Sequence, residues 1–175
     1  MLPLKTLDTY RNFIEYRLLS VLEKRSIEYE SDVTRTITGA ISDLGKHLDY
    51  HVTLERKYYP LPQESLLHRC DVHWRGDIDH IWEIDSTLKQ KSVNKLAGAK
   101  EPEKIWILWA RETELPSLRL MDLHGINVLI PGADVRKLVW DRLAMESAER
   151  RDLQSMLEQK LRFERAAKLD ENIRG

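Results

Sequence analysis

Apolar positions in the first fifty residues recur at three- and four-residue spacing, which predicts helices. Phe13, Ile14, Tyr16, Leu18, Leu19, Val21 and Leu22 crowd together, as on a helix with a wide buried face. A second helix is expected to start near Ser31 or Asp32, either of which can cap it. Val33, Ile37, Ala40, Ile41, Leu44 and Leu48 then mark its inner face. At His51 the period changes. His51 to Tyr59 alternates and stops at Pro60-Leu61-Pro62, so it reads as one strand. His68 to Arg75 and His80 to Thr87 are rich in β-branched and aromatic residues. Gly76-Asp77 between them is a turn signal, which makes the pair a hairpin. Leu88 to Lys100 reads as a helix with Leu88, Val93, Leu96 and Ala97 inward and its lysines outward. Lys104 to Ala110 is almost continuously apolar, as for a strand buried on both faces. Ile126 to Pro131 is the last expected strand. From Ala133 the chain is helix-forming and highly charged, with an apolar stripe through Leu138, Val139, Leu143, Leu153, Met156, Leu157, Leu161 and Phe163.

The resulting order, α-α-β-β-β-α-β-β-α, implies an α/β fold with a mixed sheet flanked by helices. A division follows from it: a core over residues 1–133, with N-terminal helices, and a helical extension over 134–175. That extension is expected either to pack on the core or to pair two copies of the chain. At 175 residues the chain suits one domain with an appendage. No repeat or low-complexity tract interrupts it. The single cysteine, Cys70, forms no internal disulfide and fits a reducing compartment. No apolar run is long enough to span a bilayer and the first residues lack the order of a signal peptide, so a cytoplasmic location is expected. The formal net charge is −1, which does not by itself advertise a phosphate partner.

The chemistry concentrates in the hairpin. Asp71 precedes Glu83 by twelve positions and Glu83 precedes Asp85 by two. Residues i and i+2 of a strand point to one face, so Glu83 and Asp85 project together. Pairing around the turn brings Asp71 roughly opposite one of them. Like charges this close resist joint ionisation unless a cation neutralises them. A hard divalent ion such as Mg²⁺, with Mn²⁺ as a substitute, takes such oxygens and can activate water against a phosphodiester. Lys89, Lys91, Lys95 and Lys100 crowd the following helix, and Arg69, His73 and Arg75 lie on the hairpin. Together they suggest a surface that tracks phosphates.

At these residues the chain resembles the PD-(D/E)XK, or restriction-endonuclease-like, superfamily. The likeness spans about His51 to Pro131 together with the helix before it. It implies that Asp71, Glu83 and the backbone carbonyl of Ile84 bind the metal. Cys70 stands where the superfamily usually has proline, and Asp85 where it usually has lysine. That lysine orients the attacking water, and Lys89 is the first candidate to replace it, with Lys91 and Lys95 behind. The implied activity is a Mg²⁺-dependent phosphodiesterase acting on nucleic acid, DNA above all, as an endonuclease. Asp71, Glu83, Asp85 and Lys89 would be catalytic; Lys91, Lys95, Arg75 and His73 would hold the nucleic acid.

Other readings compete. A chain of the same fold that lost catalysis through the Lys-to-Asp change would serve as a nucleic-acid-binding or assembly subunit. A glycosidase needs carboxyls across a sugar-sized cleft, which adjacent strand positions do not provide. His68, His73 and His80 gather near the hairpin, but with only Cys70 beside them they make a poor zinc set. Trp74, Trp82, Trp106 and Trp109 lie in strands and belong in the core. Glu30 or Asp32 is an outside candidate for a further carboxylate.

Overall fold

Strands with an apolar pattern on both sides need a cover on each face. The computed structural model supplies both, and it describes residues 4–24, 26–58 and 68–174. Helices α1 (Leu4–Glu23) and α2 (Glu30–His47) come first. Strands β1 (His51–Leu54), β2 (Lys57–Tyr58), β3 (His68–Arg69), β4 (Val72–Arg75) and β5 (His80–Asp85) follow. Then come helix α3 (Gln90–Gly98), strand β6 (Glu103–Leu108), a 3₁₀ turn (Leu115–Leu120), strand β7 (Ile126–Leu129) and helix α4 (Ala133–Arg174). The five-stranded sheet runs β1-β4-β5-β6-β7. Its β1–β4 and β4–β5 pairs are antiparallel; β5–β6 and β6–β7 are parallel. Helix α3 is the crossover that parallel neighbours require. The expected α/β architecture, with its mixed sheet, helical N-terminal region and C-terminal helix, is therefore present.

Two strands break where a single run was expected. The stretch from His51 divides at Glu55, whose φ of 49° turns the backbone. As a result β1 pairs with β4, while β2 pairs with β3 in a separate two-stranded sheet. The His68 to Arg75 run likewise divides at Cys70 and Asp71, into β3 and β4. Tyr59 and the Pro-Leu-Pro stop lie outside the described residues. Helix α2 starts at Glu30, so Asp32 is not its cap. The Asp32 Oδ2 instead accepts the N–H groups of Glu28 (3.1 Å) and Tyr29 (2.9 Å) from the third helical position. The 3₁₀ turn was not foreseen. Its Leu115 and Leu118 pack against the second core, three residues apart as that helix type demands.

Alternation along β4 and β5 sorts the side chains into two cores. Val72, Trp74, Trp82 and Ile84 face α1 and α2, where Ile14, Leu18, Ile37 and Ile41 cover them. Ile81 faces α3 and packs with Val93, Leu96, Trp106 and Leu108. Trp74, Trp82, Trp106 and Trp109 are no more than 1% exposed, as core residues. Helix α4 joins the first core through Val135, Val139 and Leu143. The Gly132 N–H just before it donates to Glu15 Oε1 on α1 (2.7 Å). Leu138, Leu153, Met156 and Leu157 of the expected stripe are exposed instead, and the side chains of Leu161 and Phe163 lie outside the described residues. Among the described residues no helix is long and apolar enough to cross a membrane.

Candidate carboxylate site

The hairpin register sets the site. Val72 pairs with Trp82, which brings Asp71, one residue earlier, across from Glu83. The Asp71 N–H donates to the Trp82 carbonyl (3.1 Å), and the Asp71 carbonyl accepts the Glu55 N–H (2.9 Å). Ile84 lies beyond the end of the β4 ladder, and its N–H donates to Asp71 Oδ2 (2.7 Å) instead. The N–H and C=O of one strand residue point the same way, so the Ile84 carbonyl faces the Asp71 end as well. Glu83 and Asp85 lie on the α3 face of β5, 3% and 5% exposed. The shared face is the expected one.

The three carboxylates do not meet at one point, contrary to the expectation of a ready triad. Asp85 is drawn away by the Trp106 Nε1–H (2.9 Å to Oδ2) and by Lys89 Nζ (2.6 Å from Oδ1). Glu83 Oε2 accepts a hydrogen bond from Lys95 Nζ (2.5 Å), which also donates to the Arg69 carbonyl (2.9 Å). Among the described residues no group of three His, Cys, Asp or Glu side chains is set to hold a metal ion. Glu83 Oε1, however, is buried with no hydrogen-bond partner. Asp71 stands across from Glu83 in the register, and carboxylate and carbonyl oxygens there would be hard donors of the kind that suits Mg²⁺.

Electrostatics follow from burial. Desolvation pushes Glu83 up to about 8, and the hydrogen bond from Lys95 offsets only part of that cost. Asp71 is raised chiefly by burial, against the pull of the Ile84 N–H. The bond to Asp85 raises Lys89, which stays cationic. Burial pushes the Cys70 thiol up to about 12, so it is not a nucleophile at neutral pH.

Two residues expected to face nucleic acid do otherwise. His73 is 2% exposed. Its Nε2 contacts the Arg56 guanidinium and lies 3.5 Å from Glu101 Oε1. A side chain enclosed in that way does not reach a phosphate. Lys95 turns inward to Glu83 because it stands on the edge of the packed face of α3, three and four residues from Ser92 and Ala99. That spacing is the signal that separates it from the outward lysines. Arg75, Lys91 and Lys100 are exposed. Asp32 is engaged at the start of α2 and ion-paired to Arg35. His73 and His80 project to opposite faces of the sheet, and His80 Nδ1 pairs with the Ile78 carbonyl (2.9 Å), so they share no ion. The pattern gave no hint of Trp106 holding Asp85 or of Arg56 beside His73, since both contacts join distant segments.

No protein family and no curated protein matches the chain. Among solved structures it is similar to a chain of the cryo-EM structure of a DrdV-DNA complex. The identity is 16% and the TM-score 0.40, over 59% of this chain and 74% of that one. A likeness that slight supports no further step.

Proposed function

We propose that this chain is a Mg²⁺-dependent phosphodiesterase that cuts DNA internally, a divergent relative of the PD-(D/E)XK nucleases. The observation that carries the reading is Glu83, a buried acid between Trp82 and Ile84 with one oxygen unpartnered. Such a group costs stability and packs nothing, so a ligand is the physical reason to keep it. Held by Asp71, Glu83 and the Ile84 carbonyl, Mg²⁺ (or Mn²⁺ in its place) would supply Lewis-acid polarisation of the scissile phosphate. The protein's own groups do the rest. Lys95 braces Glu83 against the Arg69 carbonyl. Lys89, whose side chain is 52% exposed, swings from Asp85 to a non-bridging phosphate oxygen and offsets the charge that develops there. Asp85, fixed by Trp106, positions the attacking water. Arg75 and Lys91 lie at the surface, where they neutralise flanking phosphates.

The test is cleavage of supercoiled plasmid and of linear single- and double-stranded DNA, with Mg²⁺, Mn²⁺ or chelator. Metal-dependent cutting by the wild type is expected, lost by at least two orders of magnitude in Asp71→Ala and Glu83→Ala. Variants that cut as well as the wild type would sink the reading. One observation favours a non-catalytic binding module instead: Lys95 on Glu83 and Lys89 on Asp85 already occupy the acids. That reading requires DNA binding without cutting under every metal condition.

A further inference from the structure

A cavity of about 430 Å³ lies between the start of α2, the exit of β6 and the middle of α4. Its volume falls among sites that hold small organic ligands, roughly 300–1,000 Å³. Arg111, Arg150 and Arg151 line it with Tyr29 and Trp140. Two of the arginines lie over aromatic rings: Arg111 is 4.4 Å from the Trp140 ring centre and Arg150 is 4.3 Å from that of Tyr29. A guanidinium stacked in this manner keeps its in-plane N–H groups available to an anion and its outer face available to another flat group. Arg111 is exposed and makes no ion pair among the described residues. Arg150 is further fixed by donating to the Glu28 carbonyl (2.9 Å). Glu28 and Glu30 also line the cavity, but they come from the segment that starts α2. The three arginines come from the β6 exit and α4, so the two signs of charge belong to different walls.

The hollow continues. A second one, about 290 Å³, shares Arg111 and Trp140 and adds Arg136 and Lys137, ion-paired there to Glu112 and Asp141, with Asp134 beside them. Trp140 thus stands where the two hollows meet, which suits an extended ligand better than a single small molecule. It is also wired to the carboxylate strand. The Trp109 ring stacks on Trp140 (5.2 Å between centres), and the Trp140 Nε1–H donates to the Trp109 carbonyl (3.2 Å). The Trp109 N–H in turn donates to the Asp85 carbonyl (3.0 Å). Arg111 follows β6 by three residues, so one wall of the groove stands at the carboxyl-terminal end of that strand, the end of an α/β sheet where ligands gather.

We infer that this groove binds a single strand of nucleic acid, with a base on the Arg111–Trp140 stack and its phosphates on Arg111, Arg150 and Arg151. Alternating stacking and phosphate contacts are how unpaired strands are held without reading sequence. The identity of the ligand rests on the phosphodiester reading above; the groove itself does not. The groove would take the strand that passes the carboxylates.

Fluorescence anisotropy with a labelled single-stranded oligonucleotide, in chelator so that nothing is cut, tests this. Arg111→Gln and Arg150→Gln are each expected to weaken binding about 5- to 10-fold and to flatten the dependence of log K on log salt by close to one contact. Arg111→Lys keeps the charge but not the planar stack, and should fall between Arg111→Gln and the wild type. Thermal melts that match the wild type exclude misfolding for Arg111, which is exposed. Unchanged affinity and salt slope in both glutamine variants, or a wild type that does not bind the strand, would overturn the inference. If those variants bind normally while Glu83→Ala alone abolishes cutting, the groove fails and the nuclease reading survives. If the arginines govern binding but nothing is ever cut, the groove stands and the catalytic reading falls.

Discussion

Glu83→Gln is the most informative single change, because it removes a charge from the site and keeps its shape. Glu83 titrates at about 8 in the fold against an ordinary 4.5, raised by burial. Below 4.5 the acid is protonated in both folded and unfolded chains, and burial adds no pH-dependent cost. As pH climbs from 4.5 towards 8, the unfolded chain releases the proton and the folded chain retains it, so stability falls across that window. Each pH unit is worth about 1.4 kcal/mol, which makes the deficit about 3 kcal/mol at pH 7 and less than ~1 kcal/mol at pH 5. Glutamine mimics the neutral carboxyl, still accepts the Lys95 N–H and carries no such cost. Urea unfolding in chelator should therefore show the variant more stable by about 3 kcal/mol at pH 7, with the gain shrinking to under ~1 kcal/mol at pH 5. In a chain of this size that corresponds to a melting temperature higher by roughly 6–12 °C at pH 7. A gain that does not vary with pH, or a variant less stable than the wild type at pH 7, would refute the reasoning. The first result would mean that Glu83 titrates alike in the folded and unfolded chains, the second that Lys95 holds Glu83 ionised and that the pair outweighs desolvation.

Two further predictions concern the scaffold. A Cβ at Gly45 would lie 2.5 Å from Trp74 Nε1 and 2.8 Å from Val52 Cγ2, so Gly45→Ala should cost about 1–3 kcal/mol in urea unfolding. Asp32 is held below its ordinary value of 3.8: desolvation opposes this, but the Glu28 and Tyr29 N–H groups and Arg35 outweigh it. Its contribution is fully present above 3.8 and is lost as pH falls through the lowered folded value, so Asp32→Ala should cost about 1 kcal/mol at pH 6 and progressively less as the pH drops below 3.8.

Much of the scaffold and half of the site can be read from residue order alone. Periods of 3.6 and 2 are local properties, and they locate α1, α2, α3 and the strand hairpin within a few residues. Two-residue alternation is enough to put Glu83 and Asp85 on one face, because the pleat allows no other outcome, while the place of Asp71 beside them depends on the hairpin register that the fold adopts. Placement in apolar strands likewise suffices to put Trp74, Trp82, Trp106 and Trp109 inside. What stays hidden depends on partners that spacing does not name. Lysine is long and flexible, and whether it meets solvent or an acid is decided by what stands across from it. Lys95 meets Glu83, and Lys89 meets Asp85. His73 looks like a surface residue until Arg56 and Glu101 close over it from segments 17 and 28 positions away. The break at Glu55 comes from a left-handed backbone at a residue with no special preference for it. The arginine groove joins Tyr29 to Arg150, 121 residues apart, and exists only because α4 returns along the start of α2. Local pattern determines which side of an element faces inward; long-range packing determines what it finds there.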